Sequence, residues 1–136
     1  NTHHIGLGYI QGYGLKSGAV ATSISHDSHN IIVVGTNSAD MAAAANHIVE
    51  HHGGIVVMEN GEVKGEVVLE IAGIMSDRPL TAINTELEAA KAAAFDLGVS
   101  RGIDPFMTLS FMALPVIPTL RITTRGIIDV VTQQYI

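Results

Sequence analysis

The stretch Ile31-Ile32-Val33-Val34, followed by Ala39 to His52, then Gly53-Gly54 and Ile55-Val56-Val57-Met58, decides the fold. Ile31 to Val34 is apolar at every position, as a strand covered on both faces would be. Asn37 or Ser38 can cap the helix that follows, Asp40 lies in its first turn, and Gly53-Gly54 stops it. The stripe Met41, Ala44/Ala45, Ile48 and Val49 marks the buried face, and the four alanines Ala42 to Ala45 let the helix approach a sheet closely. Ile55 to Met58 then reads as a second strand. Strand, helix and strand form a βαβ unit, right-handed if the two strands are parallel.

Working outward, Asn60-Gly61 separates Ile55–Met58 from Val63–Leu69. That dipeptide favours positive φ at both turn positions, so a hairpin is expected, with a bulge near Gly65. Ile83, Leu87, Ala90, Ala94 and Leu97 fall at steps of four, three, four and three, one face of a second helix. Pro79 suits its start and Gly98 its end. Toward the N-terminus, Ile5 to Ile10 and Ala19 to Ser25 read as strands among glycine turns. The last forty residues hold a loop at Asp104-Pro105-Phe106-Met107 and a strand at Ile127 to Val131, after a turn at Arg125-Gly126; Pro115 and Pro118 exclude a long helix there. The expected class is α+β (or α/β): a mixed β-sheet with about two long helices packed on it, in one domain over residues 1–136.

Composition narrows the function. Apolar residues make up 47% of 136, enough for a substantial core. A net charge of −6 with no Lys/Arg cluster argues against nucleic acid and against membrane-surface attachment. No run of about 18 apolar residues suggests a membrane span. Zero cysteines exclude disulfides and thiolate metal sites. The start, Asn1-Thr2-His3-His4, has neither a signal peptide's pattern nor an initiator Met, so a processed or cut chain is expected, and a cytoplasmic location fits.

The densest polar segment is Ser25-His26-Asp27-Ser28-His29-Asn30, between two strand-like runs. Its imidazoles, carboxylate, hydroxyls and amide could hydrogen-bond a purine edge, orient a water or bind a metal; equally, they could satisfy local backbone groups in a turn. Met75-Ser76-Asp77, before the second helix, reads first as helix capping. His47 and His51 share a helix face at the spacing of a two-histidine metal site. No Glu follows His47 to act as a base, so the zinc-protease signature is absent, and favourable interaction with the helix dipole is the preferred reading. No metal ligand is therefore assigned. Gly6, Gly8, Gly12 and Gly14 lack the helix and Gly-Lys-Ser/Thr of a phosphate loop.

Taken in order, Gly12-Tyr13-Gly14-Leu15-Lys16-Ser17-Gly18-Ala19, His26-Asp27-Ser28-His29-Asn30-Ile31-Ile32-Val33-Val34-Gly35-Thr36-Asn37, Gly53-Gly54-Ile55-Val56-Val57, Ile71-Ala72-Gly73-Ile74-Met75-Ser76-Asp77, Asp104-Pro105-Phe106-Met107-Thr108-Leu109-Ser110-Phe111 and Leu114-Pro115-Val116-Ile117-Pro118 resemble the adenine deaminase C-terminal domain. The resemblance covers essentially the whole chain. It implies an amidohydrolase-superfamily enzyme in which a (β/α)₈ barrel holds paired manganese or iron ions and a metal-activated hydroxide attacks C6 of adenine, yielding hypoxanthine and ammonia. This sequence has no His-x-His pair and is too short for the barrel. The resemblance therefore implies a chain that binds no cofactor, does not turn over adenine alone, and partners the catalytic barrel of the same enzyme in a homo-oligomer. It further implies that His26, Asp27, Ser28, His29 and Asn30 lie near substrate, with Met75, Ser76 and Asp77 as neighbours. A purely structural capping or dimerisation domain, or a free-standing His-rich ligand- or metal-binding module, are the other readings.

Overall fold

A computed structural model describes residues 4–26 and 28–136. Its larger sheet comprises β1 (Ala19–Thr22), β2 (Ile32–Gly35), β3 (Gly54–Glu59) and β4 (Glu62–Val68), in the order β2-β1-β3-β4. Helix α1 (Ser38–Glu50) joins β2 to β3, α2 (Leu80–Asp96) follows β4, and α3 (Pro105–Met112) comes next. A small second sheet, β5 (Leu120–Thr123), β6 (Gly126–Asp129) and β7 (Gln134–Tyr135), closes the chain. The α+β class holds. The strand–helix–strand stretch is present, and β2 and β3 point the same way, but β1 lies between them and pairs antiparallel with both. Every named strand pair is therefore antiparallel, and the parallel relation survives only across β1, not between neighbours as a mixed sheet requires.

The pleat of β1 divides the core. Ala19 and Ala21 face α1, together with Ala44, Ile48, Val56 and Met58. Val20 faces the opposite layer, where Ile55, Val57 and Val67 meet Ala90 and Ala94 of α2 and Phe106 and Leu109 of α3. At α2 the small residues act on both partners: a Cβ at Gly65 would come within 2.8 Å of the Ala90 Cα, so glycine there sets the close approach of helix to strand. The hairpin turn is built as expected, with φ of 54° at Asn60 and 76° at Gly61. Register shifts between Val57↔Gly65 and Met58↔Val63, which leaves Lys64 as the bulged residue.

Four expectations change. Ile31 to Val34 gives an edge strand, half-buried rather than covered on both faces, because β1 takes the central place. Ile5 to Ile10 forms no strand. Asp104-Pro105-Phe106-Met107 opens a helix instead of a loop: Asp104 Oδ1 accepts from the Phe106 and Met107 N–H groups at 3.0 and 2.9 Å, and Pro105 sits at the first helical position. In α1, Val49 also turns outward, 61% exposed, leaving Ala44 and Ile48 as its buried stripe.

Asp40, buried at the start of α1, ties that helix to the hairpin. Its Oδ1 accepts from Gly61 N–H at 2.9 Å and its Oδ2 from Asn37 Nδ2 at 2.8 Å. The Asn37 amide, then the Gly61 N–H, hold the carboxyl below its ordinary range against an opposing desolvation. As pH falls the unfolded chain takes up this proton first. The contribution is thus complete above about pH 4 and disappears as pH drops through the lower folded value. Asp40→Asn is expected to lower the melting temperature at pH 7 and to flatten its decline below about pH 4, as read by circular dichroism.

Candidate functional site

The topology gathers four strand ends, and the three segments that connect to them, at one end of the larger sheet. There β1 ends at Thr22, β2 begins at Ile32, β3 begins at Gly54 and β4 ends at Val68. Segments 23–31, 51–53 and 69–79 therefore share that end. Ser23, buried at the exit of β1, stitches them together: its Oγ accepts from Gly54 N–H at 2.8 Å and donates to the Gly73 carbonyl. The turn around Gly73 is itself closed by a bridge between Ile71 and Met75, with φ of 56° at Ala72 and 76° at Gly73.

The polar segment is braced from below. Ser25 is fully buried and its Oγ lies 3.4 Å from that of Ser28, while His29 N–H donates to the Ser25 carbonyl at 2.8 Å. His26 N–H donates to the Ser110 carbonyl at 3.1 Å, and the His26 ring stacks on Phe111 with centroids 5.7 Å apart. His29 takes φ of 46°, a left-handed conformation that costs a non-glycine residue about 1–2 kcal/mol. His26, Ser28, His29 and Asn30 are exposed, and Asp27 lies outside the described residues. A rigid base thus presents imidazole, hydroxyl and amide groups to the outside.

Helix α3 supplies that base. Tyr13, 2% exposed, donates from its hydroxyl to the Pro105 carbonyl at 3.0 Å. Burial, and then the charge of Asp104, push its phenol pKa up, so it stays a neutral donor. Burial also pulls the Asp104 carboxyl upward, but the Met107 N–H, Lys91 and the Phe106 N–H together outweigh it and leave the carboxyl below its usual range.

The 75–77 segment is arranged differently from the capping expectation. The residue preceding α2 is Pro79, with no side-chain cap. Ser76 Oγ instead donates to Glu70 Oε1 at 2.9 Å and accepts from Arg78 N–H at 3.3 Å. Arg78 then clamps Glu86 of α2 through two bonds of 2.6 and 2.8 Å and donates to the Val68 carbonyl at 3.1 Å. Met75 and Asp77 are exposed. The structure brings the 26–30 and 71–77 segments to one end and pins them through Ser23 and Gly73. Sequence reasoning assigned no role to Ser23, Ser110 or Phe111. The i, i+1 pair Ser110-Phe111 stands within a quoted motif, but nothing local shows that His26 meets it.

Residues 1–134 match the family model described as the adenine deaminase C-terminal domain. The chain belongs to that family. Adenine deaminase of Bacillus subtilis (strain 168) is 50% identical over 131 residues, covering 96% of this chain and 23% of the relative. Adenine deaminase of Brucella anthropi is 51% identical over 127 residues, covering 93% and 22%. That of Nitratidesulfovibrio vulgaris (strain Hildenborough) is 48% identical over 132 residues, covering 96% and 23%. The chain therefore spans less than a quarter of the length of these relatives. Among the described residues of this adenine deaminase C-terminal domain, no helix is long and apolar enough to cross a membrane.

Ser23→Ala would strip the buried Gly54 N–H and Gly73 carbonyl of their partner, at a cost of about 2 kcal/mol. Urea denaturation is expected to register that loss, and amide exchange at Gly54 and through 71–75 should quicken.

Proposed function

We propose that the chain is the C-terminal part of an enzyme that hydrolyses adenine to hypoxanthine and ammonia, and that the 26–30 loop forms part of the wall over the bound purine. The observation that carries this reading is the braced, exposed loop itself: a polar surface fixed by Ser25, Ser110 and Phe111 at the end of the sheet where three connecting segments meet. The relatives' shared name supplies the substrate.

Hydrolysis of this kind takes hydroxide from metal-bound water, and paired manganese or iron ions would supply it. Among the described residues one cluster has three metal-ligating side chains within reach of one another, His47, His51 and Glu66, too few for a pair of ions. The metal pair belongs to the barrel of the same enzyme, which this chain packs against, and no step of the metal chemistry is assigned to residues here. The work of this chain is to bind and orient. The imidazoles of His26 and His29, the Ser28 hydroxyl and the Asn30 amide can pair with the ring nitrogens and exocyclic amine of a purine. Because they stand on a fixed base, little ordering is left to occur on binding. Asp27 belongs to the same set by sequence; Met75, Ser76 and Asp77 border it. The enzyme is cytoplasmic and homo-oligomeric in this reading, with neither nucleic acid nor membrane as partner.

A second reading, a capping or dimerisation role alone, draws on exposed apolar side chains at the same end, notably Ile71 and Met75. Kinetics separate the two. In the intact enzyme, His29→Ala and His26→Ala are expected to lower kcat/KM about 10-fold or more at unchanged metal content and unchanged melting temperature. Near-normal kinetics would leave only the capping role. The isolated 136-residue chain is expected to release no ammonia from adenine when manganese or iron is added; metal-dependent turnover by it would overturn the assignment of hydrolysis to the barrel.

A further inference from the structure

On the opposite face of the sheet from α2 and α3, helix α1 packs on β1, β2 and β3, and His47 in its last turn reaches across to Glu66 of β4. His47 and His51, four residues apart, project from one side of the helix, and their rings stand 4.2 Å apart. Glu66 of β4 pairs with Val56, a residue of the α1-facing core, and so points to the same side of the sheet. One ligand atom from each of His47, His51 and Glu66 lies within 4.8 Å of the other two. We propose that these three side chains form a mononuclear site for a divalent transition ion of the zinc class, binding helix α1 to strand β4.

Three features of the geometry carry the inference. First, His51 Nδ1 lies 2.9 Å from the His47 carbonyl oxygen. A carbonyl only accepts, so Nδ1 bears the proton and the lone pair of the neutral ring resides on Nε2. A backbone partner on one ring nitrogen that fixes the other for metal is the usual outer support of a histidine ligand. Second, His47 Nε2 and Glu66 Oε2 stand 2.7 Å apart, sharing one proton. A cation can take the place of that proton. Bonds of about 2.0–2.1 Å at a tetrahedral ion need ligand atoms about 3.3 Å apart, so the pair opens by well under an ångström. Third, all three side chains are half-buried, which leaves an entry path and room for a fourth ligand from water.

The donor set selects the ion. Two imidazoles and one carboxylate suit zinc and its neighbours, whereas calcium and magnesium demand an oxygen shell these residues do not provide. Helix-dipole stabilisation accounts for a histidine near the C-terminus of α1. It does not account for a second imidazole with a fixed tautomer, or for a carboxylate delivered from another layer. The site's position, two residue pairs in from Gly54↔Val68, puts it near the loop end of the sheet. An ion there would hold α1 against the strand whose end leads into the 69–79 segment. This inference is independent of the role given to the 26–30 loop.

The test is calorimetric titration of the EDTA-stripped 136-residue chain with zinc chloride alone, near pH 7.5, with circular dichroism as a check of fold. One ion per chain is expected to bind, with dissociation in the micromolar range or tighter. At a free zinc level 100-fold above that constant, the melting temperature should rise by roughly 5–10 °C. His51→Gln and Glu66→Gln should each weaken binding about 10-fold or more, while His26→Gln with His29→Gln, or His3→Gln with His4→Gln, should leave it unchanged. Because substitutions near a core helix can disturb folding, the unsubstituted chain supplies a second readout: zinc should shift the ring resonances of His47 and His51 ahead of those of the other histidines. The proposal is overturned if no saturable binding appears below 1 mM on the order of a nonspecific contact. It is overturned equally if binding and ring shifts follow His26 and His29, or the terminal histidines, instead.

Discussion

Strand β1 is closed to solvent along its whole length, and both faces of its pleat are spoken for. Ala19 and Ala21 admit α1 at close range, while Val20 meets the layer of α2 and α3. Small side chains on one face and a branched one on the other set the thickness of each layer. Because β1 is hydrogen-bonded on both edges, to β2 and to β3, it also fixes the direction of each strand around it. The parallel relation of β2 and β3, the side on which α1 crosses, and the end at which the connecting segments gather all follow from this one insertion.

The candidate site depends on the same constraint. The exit of β1 carries Ser23, whose hydroxyl satisfies a buried N–H of β3 and a carbonyl of the 71–75 turn. Two residues further on, Ser25 is buried and supports Ser28 and His29 from beneath. Helix α3 can act as a buttress because Tyr13 and Asp104 hold its first turn from opposite directions, one through the Pro105 carbonyl and the other through the Phe106 and Met107 N–H groups. The exposed imidazoles are thus the outermost members of a stack of satisfied polar groups. Buried polar groups with their partners in place resist rearrangement, since breaking any one strands another in a medium of low dielectric.

Across the sheet, the last turn of α1 shows a different use of histidine. His26 stacks on an aromatic ring and meets backbone, whereas His47 and His51 meet a carboxylate and a carbonyl. The two groups sit on separate layers and their chemistries need not be coupled. Both lie toward the end of the molecule where the connecting segments run, so an assembly that covered that end would enclose the first and flank the second.

Local order was written in the residues themselves. The steps from Ile83 to Leu97 specified α2, Asn60-Gly61 specified its hairpin, and Asn37 with Gly53-Gly54 bounded α1, because capping, turn chemistry and helical periodicity act within a few residues. Asp104-Pro105 carried a cap and first-turn signal as well; it was obscured by the short apolar run behind it, which lacks a helical stripe. The density of polar groups from Ser25 to Asn30 marked the loop, and the ordered motifs marked the family. Only the tertiary structure decided that β1 separates β2 from β3, that Ser110 and Phe111 lie beneath His26, and that Glu66 faces His47 and His51. Those relations join residues up to 85 positions apart, and at such separations the chain's own propensities are silent: which faces meet is chosen by the burial of whole layers, not by any neighbour in sequence.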